Sequence, residues 1–231
     1  MSVKHVQVPG LGNVGLYRRR DSRALKITID GNNQVRVTMP SWLPYRAALE
    51  FINTKKAWIA QHQHQRLLLK NGDAVGKAHR LEFVRQIGNA QVSHRLIKQT
   101  VRVNIPSDAS IEDPIVQTAA KRGAVKALRS EAEALLPIRL RQLAKQYGFV
   151  YGSIHVKQLR SRWGSCTHQK HITLNLFLMQ LPWPLIDYVL LHELTHTKYL
   201  HHGPDFWVKL EECLPNAKAL RRQIRTFQPQ L

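Results

Sequence analysis

Apolar and polar residues alternate with period two over residues 25–29 and again over 35–39, with Gly31, Asn32 and Asn33 between the runs. Two such runs around a Gly/Asn turn predict a β-hairpin, closed by Pro40. The first 19 residues, with Pro9, Gly10, Gly12 and Gly15, read as a loop-like tail. Over residues 45–69, Ala47, Ala48, Phe51, Ile52, Trp58, Ile59 and Leu67 to Leu69 recur at helical spacing and predict one long helix, which Asn71, Gly72 and Asp73 stop. Residues 81–84 and 101–105 predict further strands. Residues 20–106 thus read as a β-rich N-terminal module with one long helix.

Residues 107–231 carry a different pattern. Pro106 to Pro114 reads as a linker and helix start. The Ala-, Leu- and Arg-rich stretch from Pro114 to Gln146 predicts a helix that Pro137 kinks or divides and Gly148 ends. Residues 154–159 and 171–176 predict two strands of a hairpin, and residues 160–167 a polar turn between them. A helix is expected over 185–199, broken before Gly203-Pro204, and a last helical pair from about Asp205 to Thr226. The fold class expected is α+β. No internal repeat is visible.

The chemistry concentrates at residues 187–207. His192-Glu193-Leu194-Thr195-His196 is an H-E-x-x-H sequence on a predicted helix. Four residues make about one helical turn, so His192 and His196 project from one face, one above the other. Two imidazole nitrogens placed so can share one ion at about 2.0–2.1 Å. Glu193 beside the first of them is positioned to take a proton from metal-activated water and return it to a leaving group. The other residues of this helix are strongly apolar, so the polar groups it carries need partners. A buried His/Glu cluster without a metal is the competing structural account.

A catalytic zinc needs a third protein ligand and an open position. His201, His202, Glu211 and Glu212 are the candidates. In an unbroken helix His202 would lie about 15 Å along the axis from His192, so the chain must fold back for it to share an ion. His202, beside Gly203, is preferred over His201; Glu211 and Glu212 rank lower. The 1-5-11 spacing also occurs in metzincins, but Tyr199 stands where those need Gly and no Met follows Met179.

Upstream, Arg160 and Arg162 flank Ser161 ahead of Trp163-Gly164-Ser165-Cys166. Guanidinium groups near a metal could hold a carboxylate, a phosphate or a developing oxyanion. The structural alternative is stacking on Trp163 or Trp207. Cys166 is expected to be packed, Phe206 and Trp207 to close the back of the site, and Asp205 to cap the next helix or orient a histidine. Asn175 could order either the Arg turn or the metal helix.

Taken together, R-S-R-W-G-S-C, the Leu174-Asn175 pair and H-E-L-T-H followed by H-G-P-D-F-W resemble the YgjP-like metal-dependent hydrolases. These are related to the SprT/WLM-type, minigluzincin-like metallopeptidases, and the likeness covers most of the chain. The resemblance implies a zincin-type core with one Zn2+ per chain on His192, His196 and His202, and Glu193 as the catalytic acid/base. It implies peptide hydrolysis, and for some members nucleotide pyrophosphate hydrolysis.

Composition narrows the partners. Thirty-five Lys+Arg against 15 Asp+Glu give a net charge of +20, spread as +12 over residues 1–110 and +8 over 111–231. No carboxylate side chain stands between Glu133 and Asp187. Such a field attracts polyanions, so nucleic acid on the basic surface joins peptide and nucleotide as expected partners. Two cysteines exclude a disulfide framework. With no apolar leader and no run of about 18 apolar residues, neither export nor a membrane span is expected, and the cytoplasm is the expected compartment. No P-loop and no carboxylate cluster for magnesium is present, which weakens ordinary nucleotidase readings. The readings rank as zinc-dependent metallopeptidase, then nucleoside triphosphate pyrophosphatase, then basic nucleic-acid-binding protein with a structural zinc.

Overall fold

In the computed structural model of the chain, the described residues are 2–29, 34–62, 68–87, 91–227 and 231. They form an α+β architecture in two compact units, residues 1–67 and 68–231.

The first unit is a four-stranded sheet with two helices. Its strands are β1 (Ser2–Val8), β2 (Gly12–Arg19), β3 (Lys26–Ile29) and β4 (Val35–Pro40), in the order β1-β2-β4-β3. The expected tail over 1–19 is therefore a β-hairpin. Gly10 and Gly12 take positive φ, and the Leu11 amide donates to the Val8 carbonyl at 3.0 Å, so the glycines close a turn. The strand signal is weak because, among the described side chains of β1, only Val6 and Val8 face inward. β3 and β4 pair antiparallel as the alternation predicts, while the turn residues Gly31, Asn32 and Asn33 lie outside the described residues. Val14, Leu16, Val35, Val37 and Met39 bury one sheet face under Ala48, Ile52 and Ile59.

The helix expected over 45–69 is two helices, α1 (Tyr45–Thr54) and α2 (Lys56–His62), separated at Lys55. Neither Gly nor Pro marks that break, and residues 63–67 lie outside the described residues. Leu68 and Leu69 are not helical. Gln117 explains why: its amide accepts from the Leu69 N–H at 2.9 Å and donates to the Leu69 carbonyl at 3.0 Å. A tertiary contact thus overrides the local apolar run.

The second unit opens with β5 (Ala74–Val75), β6 (His79–Gln86), β7 (Ser93–Ile97) and β8 (Thr100–Pro106), in the order β5-β6-β8-β7. β6 and β8 are the strands expected near residues 81–84 and 101–105. In both four-stranded sheets the outer pairs are antiparallel and the inner pair is parallel. The two units repeat a strand topology that the sequence does not repeat. The boundary expected at 106/107 does not separate compact bodies, because this sheet packs on the helix that follows it.

That helix, α3 (Pro114–Tyr147), is one element. Asp113 caps its start by accepting from the Ile115 N–H at 2.7 Å, and Gly148 ends it in the left-handed region. Pro137 does not divide it. Small residues on α3 let the sheet approach closely: a Cβ on Gly123 would lie 2.6 Å from Val101 Cγ1. The third sheet holds β9 (Ile154–Lys157), β10 (Gly164–Cys166) and β11 (Ile172–Asn175), in the order β10-β11-β9. β9 and β11 are parallel rather than a hairpin, and the hairpin partner of β11 is β10. The turn expected over 160–167 therefore contains a strand. A 3-10 helix (Leu176–Gln180), α4 (Trp183–Thr195), α5 (Pro204–Cys213) and α6 (Ala217–Ile224) complete the unit.

Two polar anchors fix this core. Arg139 on α3 donates twice to Asp187 on α4, at 2.8 and 2.6 Å. Glu131, buried on α3, accepts from the backbone amides of Lys77, Ala78 and His79 at 2.6, 2.8 and 3.1 Å. It also meets His79 Nδ1 at 2.6 Å. Lys77 Nζ in turn donates to the Leu181 carbonyl just before α4.

Glu131→Leu leaves three backbone donors and an imidazole without their acceptor. It is expected to lower stability by about 3 kcal/mol or more in urea denaturation. A loss below about 1 kcal/mol would show that Glu131 does not anchor this turn.

Candidate metal centre

Helix α4 is apolar on nearly every side. Leu185, Ile186, Val189, Leu190, Leu191 and Leu194 are all buried. His192, Glu193 and His196 therefore gather at its C-terminal end. The helix ends at Thr195, a turn earlier than the hydrophobic pattern predicts. Thr195 and Thr197 hydroxyls donate to the Leu191 and Leu194 carbonyls, each at 2.7 Å, and Lys198 and Tyr199 amides bond the Thr195 carbonyl at 3.0 Å. These bonds turn the chain over before Pro204 starts α5.

The fold-back brings His202 to the other two histidines. His202 Nε2 lies 3.0 Å from His192 Nε2, and His196 Nε2 lies 3.3 Å from the same atom. The three possible donor nitrogens lie within 4.8 Å of one another. Phe206, fully buried, is the wall they share, with ring centroids 4.9, 4.7 and 4.8 Å from His192, His196 and His202. Trp207 stacks on His202 at 6.1 Å, and its indole N–H donates to the His202 carbonyl at 3.2 Å.

This donor set fits a tetrahedral ion. Ligand bonds of about 2.0–2.1 Å imply donor–donor edges of about 3.3 Å, close to the two separations observed. His196 Nδ1 meets the Tyr199 carbonyl at 3.0 Å. A carbonyl only accepts, so Nδ1 carries the proton, and in the neutral ring Nε2 offers its lone pair. Burial, helped by the neighbouring rings and Arg221, pushes the His192 imidazole down to about 3. Burial first, then charge, also lowers His196 and His202. Neutral imidazoles are the form that binds a metal. His201 is exposed and not part of the cluster. Glu211 and Glu212 pair with Lys218 and Lys209 at 2.9 and 2.8 Å.

Glu193 is 5% exposed, and its Oε2 has no hydrogen-bond partner among the described residues. Burial pushes its carboxyl up to about 8, and Arg162 opposes the rise. Gly164 on β10 packs directly on it: a Cβ there would meet Glu193 Oε1 at 2.7 Å and Cδ at 2.9 Å. The Trp163-Gly164 step is thus a close approach of backbone to carboxylate. Asn175, 2% exposed, fastens the loop before it. Its Nδ2 donates to the Leu159 and Arg162 carbonyls at 3.0 and 2.9 Å, and its amide to the Trp163 carbonyl at 2.9 Å. Cys166 stays a thiol, pushed up to about 11 by burial and then by Glu193.

Arg160 and Arg162 are exposed, and among the described residues neither side chain makes a hydrogen bond or ion pair. The guanidinium on Trp207 belongs instead to Arg221, 4.6 Å from the ring centre. Asp205 does not cap α5; the capping position is Gly203. Arg221 and Tyr188 escaped the sequence reading. Tyr188 lies one turn before His192, with ring centroids 5.8 Å apart, and has no signal beyond its place in an apolar run. Arg221 flanks the apolar stripe of Ala217, Leu220 and Ile224, an ordinary place for a solvated arginine.

The family model of the YgjP-like metallopeptidase domain matches residues 23–227. The chain belongs to the YgjP-like family. Membership in this metallopeptidase family implies a divalent metal, typically zinc, and a peptide substrate. Two solved structures are similar to part of the chain. The metallopeptidase zymogen abylysin of Pyrococcus abyssi is 23% identical, over 44% of this chain and 92% of its own, with a TM-score of 0.35. The metallopeptidase zymogen jannalysin of Methanocaldococcus jannaschii is 21% identical, over 37% and 88%, with a TM-score of 0.34. A search of curated proteins gives no match. Nothing in these comparisons supports a nucleotide or nucleic-acid partner for this YgjP-like chain. Among the described residues no helix is long and apolar enough to cross a membrane.

Gly164→Ala drives a methyl group into the Glu193 carboxylate. It is expected to cost about 1–3 kcal/mol in thermal or chemical denaturation while leaving the histidines free to retain metal. Unchanged stability would mean that β10 does not press on Glu193.

Proposed function

We propose that this chain is a zinc-dependent metallopeptidase, with one Zn2+ held by His192, His196 and His202 and with Glu193 as general base. The observation that carries the reading is the convergence of three imidazole nitrogens, at 3.0 and 3.3 Å, beside a buried carboxyl. A divalent ion bound there supplies Lewis acidity, polarising a scissile carbonyl and acidifying water.

The chain's own residues set the rest. The Tyr199 carbonyl fixes the His196 tautomer. Phe206 closes the apolar side of the cluster, which strengthens the electrostatics within it. Glu193 Oε2, with no partner among the described residues, is the atom that takes a proton from water and returns it to the leaving amine. Burial raises the affinity of this carboxyl for protons, the direction a group that accepts a proton from water requires. Gly164 supplies the room, and Asn175 holds the strand that bears it. Arg162 is placed near Glu193 to meet developing negative charge, and Arg160 precedes it on the same exposed loop.

The decisive experiment incubates zinc-loaded protein with unfolded proteins and with a nucleoside triphosphate panel. Peptide cleavage is expected, and Glu193→Gln is expected to reduce it by at least about 100-fold with zinc content unchanged. Release of pyrophosphate from a nucleotide, abolished by the same substitution, would overturn the peptidase assignment. His202→Ala is expected to retain less zinc than His201→Ala by elemental analysis. Equal zinc in the two variants would remove His202 from the ligand set.

A further inference from the structure

We propose that the centre selects peptides carrying a carboxylate near the scissile bond, with Arg162 and Arg221 as the two groups that receive it. The inference rests on the metallopeptidase reading and adds the substrate class.

Two arginines flank this centre on different elements. Arg221, on α6, lies over Trp207 at 4.6 Å from the ring centre, and Trp207 stacks on His202. The indole N–H bond to the His202 carbonyl fixes that layer. Arg162 lies on the exposed loop that leads into β10. Its carbonyl is tied to Asn175 at 2.9 Å, and two residues later Gly164 lies against the Glu193 carboxyl.

Neither arginine is neutralised. Among the described residues, no carboxylate pairs with Arg162 or Arg221. Three nearby acids are committed elsewhere, Asp187 to Arg139, Glu211 to Lys218 and Glu212 to Lys209, while Asp205, exposed in the first turn of α5, pairs with neither arginine. Two arginines with no carboxylate partner flanking the cluster give it a field that favours an anion. Cations placed near a site for a divalent ion repel that ion, and an acidic ligand offsets the repulsion. The planar guanidinium fork suits a carboxylate, which it can meet with two parallel hydrogen bonds. Holding Arg221 over an indole restricts its rotamers before the ligand arrives.

The test uses full-length, zinc-loaded Glu193→Gln protein and fluorescence anisotropy. The probes are a labelled peptide with Glu on both sides of an Ala-Ala bond and its twin with Gln at those positions. The acidic peptide is expected to bind at least about tenfold tighter at low salt, with the preference falling as salt rises. Arg162→Gln and Arg221→Gln together are expected to bring the ratio close to one, and Arg221→Lys to keep part of it. Zinc content and melting temperature of each variant separate lost recognition from lost structure. Equal binding of the two peptides, or a preference that survives in the double variant, would overturn the proposal. So would displacement of the acidic peptide by a nucleoside triphosphate far more readily than by unlabelled acidic peptide, which would assign the arginines to phosphate. Cleavage of both peptides by the unmodified protein without preference would sink the charge selection and leave the peptidase reading intact. Selective binding without cleavage would do the reverse.

Discussion

A helix buried on almost all sides can carry a glutamate and two histidines only if their polar atoms are collected at one end and supplied with partners. α4 meets that constraint through its length. Apart from Asp187, apolar residues fill it up to Leu191, and His192, Glu193 and His196 occupy its last turn and its cap. Burial then makes the imidazoles poor bases and the carboxyl a weak acid. Those are the protonation states in which the first can accept a metal and the second can exchange a proton. Of the three buried side-chain polar atoms without a hydrogen-bond partner among the described residues, two, His192 Nδ1 and Glu193 Oε2, lie in this cluster. The cost of that burial is what a bound ion and substrate would offset.

The surrounding architecture holds this end of α4 in place. α3 grips α4 through the Arg139–Asp187 pair, and β10 lies across Glu193 through Gly164. Asn175 sits at the end of β11 and uses both ends of its amide: Nδ2 on the Arg162 loop, Oδ1 on the Phe177 N–H. One buried side chain therefore couples the loop bearing Arg162 to the segment leading into α4. Glu131 acts in the same way further off, fastening the turn whose Lys77 reaches Leu181. Small movements in any of these would shift Glu193 relative to the histidines, and positions at a reacting centre tolerate little displacement.

Charge organises the rim rather than the core. Arg221 lies over Trp207 beside the cluster, and Asp187, Glu211 and Glu212 are used in pairs with other cations. The run without carboxylates between Glu133 and Asp187 supplies part of this, since it holds Arg160 and Arg162. Arg221 supplies the remainder from a different helix. A chain with a net charge of +20 attracts anions in general. Arg162 and Arg221, proposed above to receive a substrate carboxylate, would act more narrowly, at the cluster itself.

The sequence by itself determined the α+β class, the family, the hairpin of β3 and β4, the long helix that starts at Pro114, and the H-E-x-x-H pair. These follow from period, capping residues and a fixed four-residue spacing, all of which act within a few turns of chain. It did not determine the β1–β2 hairpin, the break at Lys55, the parallel pairing of β9 with β11, or the repeated sheet topology. Each depends on contacts between residues far apart, such as Gln117 with Leu69, that leave no local pattern. The same division runs through the site. His192, Glu193 and His196 were legible because one helix presents them. The reach of His202 depends on a threonine-bonded turn, the role of Gly164 on a carboxylate from another element, and the place of Arg221 on how α6 packs beside Trp207. Tertiary structure decided those, because only packing brings distant side chains within reach of one another.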